Sequence, residues 1–226
     1  MHFLVLLLLL LGLFYGPSLW ANRVLRQHSQ ASDKYAGTGS QFAAHLIKQL
    51  KLDISLEQTD QGDHYDPIHK TVRLSPDNFN QKSLTAVVVA AHEVGHALQD
   101  QLDYRPLRMR TQLAQVAHHA ERVGALFMYA IPVIFLLTHT PASGLLMFAL
   151  GLVTMGIGSV VHMVTLPVEF DASFKRAMPV LQAGNYLDDQ DMRHARKILL
   201  ACALTYVAQS LAGLFNIWRW MTVFRR

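Results

Sequence analysis

Long apolar stretches alternate with polar ones along the chain. Four runs contain no Asp, Glu, Lys or Arg: residues 3–20, 124–137, 145–164 and 198–217. A membrane-spanning helix needs roughly 20 predominantly apolar residues. The pattern therefore predicts a mainly α membrane protein with about four transmembrane or membrane-embedded helices. The middle two runs would form a hairpin, because a short uncharged turn (residues 138–144) joins them.

The first apolar run has two interpretations, a membrane anchor or a cleaved signal peptide. Only Met1 and His2 precede the run, so the basic start of a signal peptide is missing. Leu19 stands where cleavage before Asn22 would need a small residue. These flanks favour an anchor over residues 1–21.

The polar segment after this anchor predicts a small α+β domain. Residues 40–52 have the apolar period of an amphipathic helix, and residues 54–58 and 71–75 alternate as short strands do. Asp, Gly and Pro between these two stretches indicate a loop. Ser83 is a suitable N-cap for a helix over residues 84–101, and a further helix is expected from residue 105 to 122.

Composition strengthens the membrane interpretation and disfavours nucleic acid as a partner. Of the 226 residues, 51% are hydrophobic and 16% are charged, against about 25% charged in a typical soluble domain. The net charge is +4, but the basic residues lie beside apolar runs and do not form one polar face. The positive-inside rule would place the polar domain on the cytoplasmic side. The single Cys202 excludes an internal disulfide.

The predicted helix over residues 84–101 carries the sequence His92-Glu93-Val94-Gly95-His96. Residues i and i+4 share a helix face, so His92 and His96 can offer two imidazole nitrogens to one Zn²⁺ ion. In such motifs the glutamate is not a ligand but the general base, a role that falls to Glu93. Chance is the alternative. The strongly apolar surroundings disfavour it, since burying these three side chains without partners would be costly.

A catalytic zinc site needs a third protein ligand. His118 and His119 lie in a basic helix, where solvated side chains are the ordinary interpretation, and His162 lies in an apolar run, where a helix-to-helix hydrogen bond is equally possible. Glu169 is favoured because it follows Pro167 where the chain returns to polar sequence, with Asp171 close behind. An acidic residue at a helix N-terminus remains the alternative for Glu169.

Further short stretches, spread over nearly the whole chain, have the sequences of a known family. They are residues 20–24, 63–67, 72–75, 90–97, 106–108, 165–173, 195–197 and 204–208. In these stretches the chain resembles the YugP-like neutral zinc metallopeptidases of bacterial membranes.

The resemblance implies an anchored zinc peptidase in which Glu169 is the third ligand, by similarity to the Glu-zincins. Those families carry an aspartate four residues after the ligand glutamate, whereas this chain has Ser173 there and Asp171 two residues earlier. The 71–75 strand is expected to lie alongside the active-site cleft, where its free edge could pair with an extended substrate. Tyr206, His64 and Tyr65 are the candidate donors to the oxyanion.

The sequence thus predicts a membrane-bound zinc metallopeptidase that hydrolyses peptide bonds with a metal-activated water and Glu93 as general base. Its expected partners are a peptide or membrane-protein substrate and the lipid bilayer of a bacterial inner membrane. The rival functions are a non-catalytic zinc-binding scaffold and, less favoured, a transporter subunit. The predicted division is an anchor (1–21), a zincin-like domain (22–122), a transmembrane hairpin (123–166), a third-ligand segment (167–197) and a C-terminal membrane helix with a basic tail (198–226).

Overall fold

The computed structural model describes residues 2–140, 142, 144–146, 149–150, 161 and 164–214. Residues 164–170 form helix α6 and continue without a break into a π-helical segment, Asp171–Ala177. The other helices are α1 (His2–Gln27), α2 (Gly39–Gln49), α3 (Pro76–Asn80), α4 (Leu84–Gln101), α5 (Arg105–Thr138), α7 (Met178–Ala183) and α8 (Asp189–Leu214). The strands are β1 (Ser55–Gln58), β2 (His64–Asp66) and β3 (Thr71–Leu74).

Helix α4 is the centre of the fold. It begins where predicted, because the Ser83 hydroxyl accepts a hydrogen bond from the Ala86 N–H and so caps the first turn. Nearly every residue from Leu84 to Ala97 is buried, as expected for a helix that is apolar all round. Helices α2 and α8, the π-helical segment and the sheet all pack against it. The motif histidines are therefore held inside the protein.

The sheet has the order β1-β3-β2, so β3 is its central strand. β3 pairs in parallel with β1 and antiparallel with β2. The prediction of a free edge on the 71–75 strand is therefore wrong. β2, which lies in the region expected to be a loop, is an outer strand and flanks α4.

The first helix, α1, packs against the last described helix, α8. Ala21 and Val24 of α1 are buried in the main core. The end of α1 is also joined to the start of α4, because Thr85 donates to the carbonyls of His28 and Leu25. The C-terminal part of α1 is thus an integral part of the folded domain.

The predicted membrane architecture is wrong for the described part of the chain. Among those residues, no helix is both long enough and apolar enough to cross a bilayer. In α5 the charges end at Arg122, and the 138 − 122 = 16 residues that remain span about 24 Å, short of the roughly 30 Å of a hydrocarbon core. In α8, charged residues occupy the first third of the helix. The observed architecture is mainly helical with one three-stranded sheet.

Candidate metal centre

Three buried side chains converge between α4 and α6. His92 and His96 come from adjacent turns of α4, and Glu169 comes from the end of α6. Their ligand atoms all lie within 4.8 Å of one another, and none of the three residues is more than 2% exposed. Glu169 Oε2 lies 3.1 Å from His96 Nε2 and 3.3 Å from His92 Nε2. The structure therefore brings together the three residues that the sequence singled out, across 73 residues of chain.

The neighbouring Ser173 determines which ring nitrogen of His92 carries a proton. The Ser173 hydroxyl lies 3.1 Å from His92 Nδ1 and 3.1 Å from the carbonyl of Leu199 in α8. A hydroxyl has one proton, and a carbonyl can only accept. Ser173 must therefore donate to Leu199 and accept from the Nδ1–H of His92. In a neutral His92 with this tautomer, Nε2 carries no proton, and its lone pair points toward Glu169.

His96 is oriented in the same way by Gln99, which sequence reasoning missed. The Gln99 amide nitrogen donates to the Val168 carbonyl (2.9 Å) and to Asp171 Oδ2 (2.8 Å), which fixes the direction of the amide group. Its oxygen then faces His96 Nδ1 at 3.0 Å and must accept that proton. Nε2 of a neutral His96 is therefore also a lone pair directed at Glu169.

This donor arrangement fits a metal ion. Both imidazole Nε2 atoms and the Glu169 carboxylate are acceptors, and acceptors this close repel one another unless a cation lies among them. His92 Nε2 and Glu93 Oε2 are buried without a hydrogen-bond partner, and Glu169 Oε1, which also lacks a hydrogen bond, has the Arg110 guanidinium 3.2 Å away. Buried polar atoms normally have partners, so the shared deficit points to a common ligand. Two imidazoles and one carboxylate suit Zn²⁺, with a further position left open.

Charges around the centre are tightly coupled. Burial raises the pKa of Glu169, but protonated His96 and His92 would outweigh it and hold that pKa well below the usual range. A cation bound between neutral imidazoles would shift the pKa in the same direction. Arg110 of α5 lies 3.2 Å from Glu169 Oε1, whereas the two histidines contact the other carboxylate oxygen, Oε2. Glu93 is fully buried, and burial raises its pKa to about 8 against the opposing effect of His92. The pKa of Glu93 is thus shifted upward, in the opposite direction to that of Glu169.

The close contact of α4 with the π-helical segment depends on Gly95. A Cβ atom at this position would lie 2.8 Å from the backbone oxygen of Ala172, which is inside normal contact distance. Ala172 and Ser173 are fully or almost fully buried against α4. The missing side chain at Gly95 therefore allows Ser173 and Glu169 to reach the two histidines.

The other candidates that the structure describes are not part of this group of three ligands. His119 Nδ1 bonds to the carbonyl of Gln115 in its own helix, and Asp171 contacts Gln99 and Arg176. His64 Nδ1 contacts the Gly62 carbonyl, and the Tyr65 hydroxyl donates to Asp100. His162 and the side chains of His118 and Tyr206 lie outside the described residues.

Two histidines one turn apart on a helix, with a glutamate from a facing helix, are the donor set of a zinc-peptidase centre. A family model described as "Putative neutral zinc metallopeptidase" matches residues 3–225, and the chain belongs to this family. The resemblance inferred from sequence is thereby confirmed. The chain is also 32% identical over 233 residues to "Putative membrane protease YugP" of Bacillus subtilis (strain 168), covering 99% of this chain and 97% of that protein. No solved structure matches the chain.

Proposed function

We propose that this protein is a zinc metallopeptidase in which His92, His96 and Glu169 hold the metal and Glu93 is the general base. The observation that carries the proposal is the convergence of three acceptors in a buried site. Ser173 and Gln99 take the Nδ1 protons of the two imidazoles, so both Nε2 atoms are directed at the Glu169 carboxylate. Such an arrangement is unfavourable without a cation and well suited to one.

When bound, zinc would polarise the scissile carbonyl and lower the pKa of an attacking water. Glu93 accepts the proton of that water and later delivers a proton to the leaving amine. Burial suits Glu93 to both steps, because a raised carboxyl pKa brings its protonated and ionised forms closer in energy near neutral pH. Family membership supports the same reaction class, since the family is described as zinc metallopeptidases.

An extended peptide would reach the centre along β2. This strand is the outer member of the sheet next to α4, and an outer strand can pair with an added strand through its main chain. Tyr65 in the middle of β2 lines a cavity that also contains His96. The edge-pairing role that sequence reasoning gave to the 71–75 strand is therefore reassigned to β2.

The proposal is tested by measuring zinc content and peptide cleavage in the same preparations. Wild type should contain about one zinc per chain and cleave an unstructured substrate such as casein. Glu93→Gln keeps the shape of the side chain but cannot act as a base, so zinc should stay bound and cleavage should fall by 10²-fold or more. Glu169→Ala should lose zinc as well as activity.

A matched control is Glu57→Gln, an exposed glutamate on β1, the outer strand on the opposite edge of the sheet from β2, where it pairs with Arg73 of the central strand β3. It should retain both zinc and activity. Full activity in Glu93→Gln would contradict the assigned general base. Zinc retained in Glu169→Ala would contradict the assigned ligand set.

A further inference from the structure

A cavity of about 390 Å³ lies directly beside the metal centre. One wall is formed by Tyr65 of β2 and by Pro67 and Ile68, which follow it, and the opposite wall is the first half of α5. His96 is part of the lining, so the cavity and the centre share a proposed ligand. A group bound in the cavity would therefore lie next to the metal centre.

Three polar groups of the walls bond within the protein. The Tyr65 hydroxyl donates to Asp100, and the Thr111 hydroxyl donates to the Leu107 carbonyl. His119 Nδ1 lies 2.8 Å from the carbonyl of Gln115, an acceptor, and so donates to it. These walls therefore present mainly carbon to the cavity: the Tyr65 ring and the side chains of Pro67, Ile68, Leu107 and Ala114.

The charge of the cavity also limits its occupant. Arg110 is part of the lining, and none of the described lining residues is acidic. A cationic side chain would thus find no carboxylate among the described lining residues and would lie near the Arg110 guanidinium, which pairs with Glu169. The volume lies at the small end of ligand pockets, which suits a single side chain better than a cofactor.

We propose that this cavity binds an apolar side chain of the size of Leu, Met or Phe, on the substrate residue next to the scissile bond. The inference rests on the proposed peptidase function and names its substrate class. Peptides with such a residue would be preferred over those with Gly, Lys or Arg at the same position.

Ala114 offers a direct test because its side chain lines the cavity and the residue is exposed, so a larger side chain does not overfill the core. Ala114→Phe should block the cavity. Gln112→Phe is the matched control, since Gln112 is exposed on the same helix and outside the lining. Zinc content and thermal midpoint should be equal in wild type and both variants.

The first readout is binding of leucine hydroxamate and glycine hydroxamate to the zinc-loaded protein, measured by calorimetry. Wild type and Gln112→Phe should bind the leucine compound about tenfold more tightly or better, as burial of an apolar side chain predicts. Ala114→Phe should bring the ratio close to one. The second readout is kcat/KM for peptides that differ only beside the scissile bond, where the same change in preference is expected.

The outcomes separate the two proposals. Equal binding of the two hydroxamates by wild type, or an unchanged ratio in Ala114→Phe, would overturn the cavity assignment even where zinc-dependent cleavage is observed. A leucine preference that Ala114→Phe abolishes, in a zinc-loaded protein that cleaves no peptide, would support the cavity and count against the peptidase function.

Discussion

Gln99 provides the sharpest test of how the centre is organised. Its side chain is fully buried and makes three hydrogen bonds: from His96 Nδ1 (3.0 Å), to the Val168 carbonyl (2.9 Å) and to Asp171 Oδ2 (2.8 Å). Gln99→Leu keeps a similar volume and removes all three. His96 Nδ1–H would then be buried without an acceptor, and the imidazole could rotate or change its tautomer.

The expected effect is large and specific to the metal. Loss of such a partner typically lowers metal affinity 10–100-fold, which is about 1.4–2.7 kcal/mol of binding free energy. The free energy of unfolding of the metal-free protein should fall by about 1–3 kcal/mol, since a buried donor loses its acceptor. Asp171 also loses a hydrogen bond in this variant but keeps its contact with Arg176, so this loss should destabilise the protein less.

Zinc dissociation constants can be measured by competition with a fluorescent chelator, and stability by urea unfolding of the metal-free protein. Gln101→Leu is the matched control: the same change near the end of the same helix, at an exposed residue whose amide makes one long contact of 3.4 Å. It should leave zinc affinity unchanged. A zinc affinity of Gln99→Leu within about twofold of wild type would refute the positioning role.

Three further changes test the surroundings of the site. Gly95→Ala should lower the free energy of unfolding by about 1–3 kcal/mol in urea, because the new Cβ overpacks against the π-helical segment; a neutral result would contradict the close approach. At a free zinc concentration 100 times the Kd, bound zinc should raise the free energy of unfolding by about 2.7 kcal/mol. A chelator should remove this contribution and lower the thermal midpoint, and an unchanged midpoint would argue against a bound ion. Burial raises the pKa of Asp66, but hydrogen bonds from His69 and Arg73 outweigh it and hold that pKa well below the usual range. The ionised Asp66 therefore stabilises the fold above about pH 4, and this stabilisation is lost as the pH falls further. Asp66→Asn should reduce the loss of unfolding free energy in acid by roughly 1–2 kcal/mol, whereas Asp53→Asn, at an exposed residue, should not.

Sequence alone was sufficient for the parts of the fold that depend on local rules. The limits of α4 followed from its apolar run and from Ser83, since capping is a property of a few adjacent residues. His92 and His96 followed from the helix repeat. Glu169 was favoured by its position after Pro167, and the structure does bring it to the two histidines.

Features that depend on tertiary contacts were missed. Gln99 reads in the sequence as one more polar residue near the end of a helix, and only the approach of Val168 and Asp171 gives its amide a fixed direction. β2 has three residues, too few for an alternating pattern, and exists because β3 supplies its partners. The membrane prediction failed because it rested on apolar runs, which do not show how the chain packs. The uncharged part of α5 ends at Thr138, and Ala21 of α1 is buried in the main core.

The choice of serine at position 173 has a physical explanation. Ser173 sits between a donor, His92 Nδ1–H, and an acceptor, the Leu199 carbonyl, each at 3.1 Å. A hydroxyl satisfies both, whereas an aspartate could accept from the histidine only and would place a carboxylate against a carbonyl oxygen in a fully buried position. The close packing of α8 behind the site therefore selects a neutral residue that both accepts and donates. Asp171 contacts His96 through Gln99, and Arg176 balances its charge.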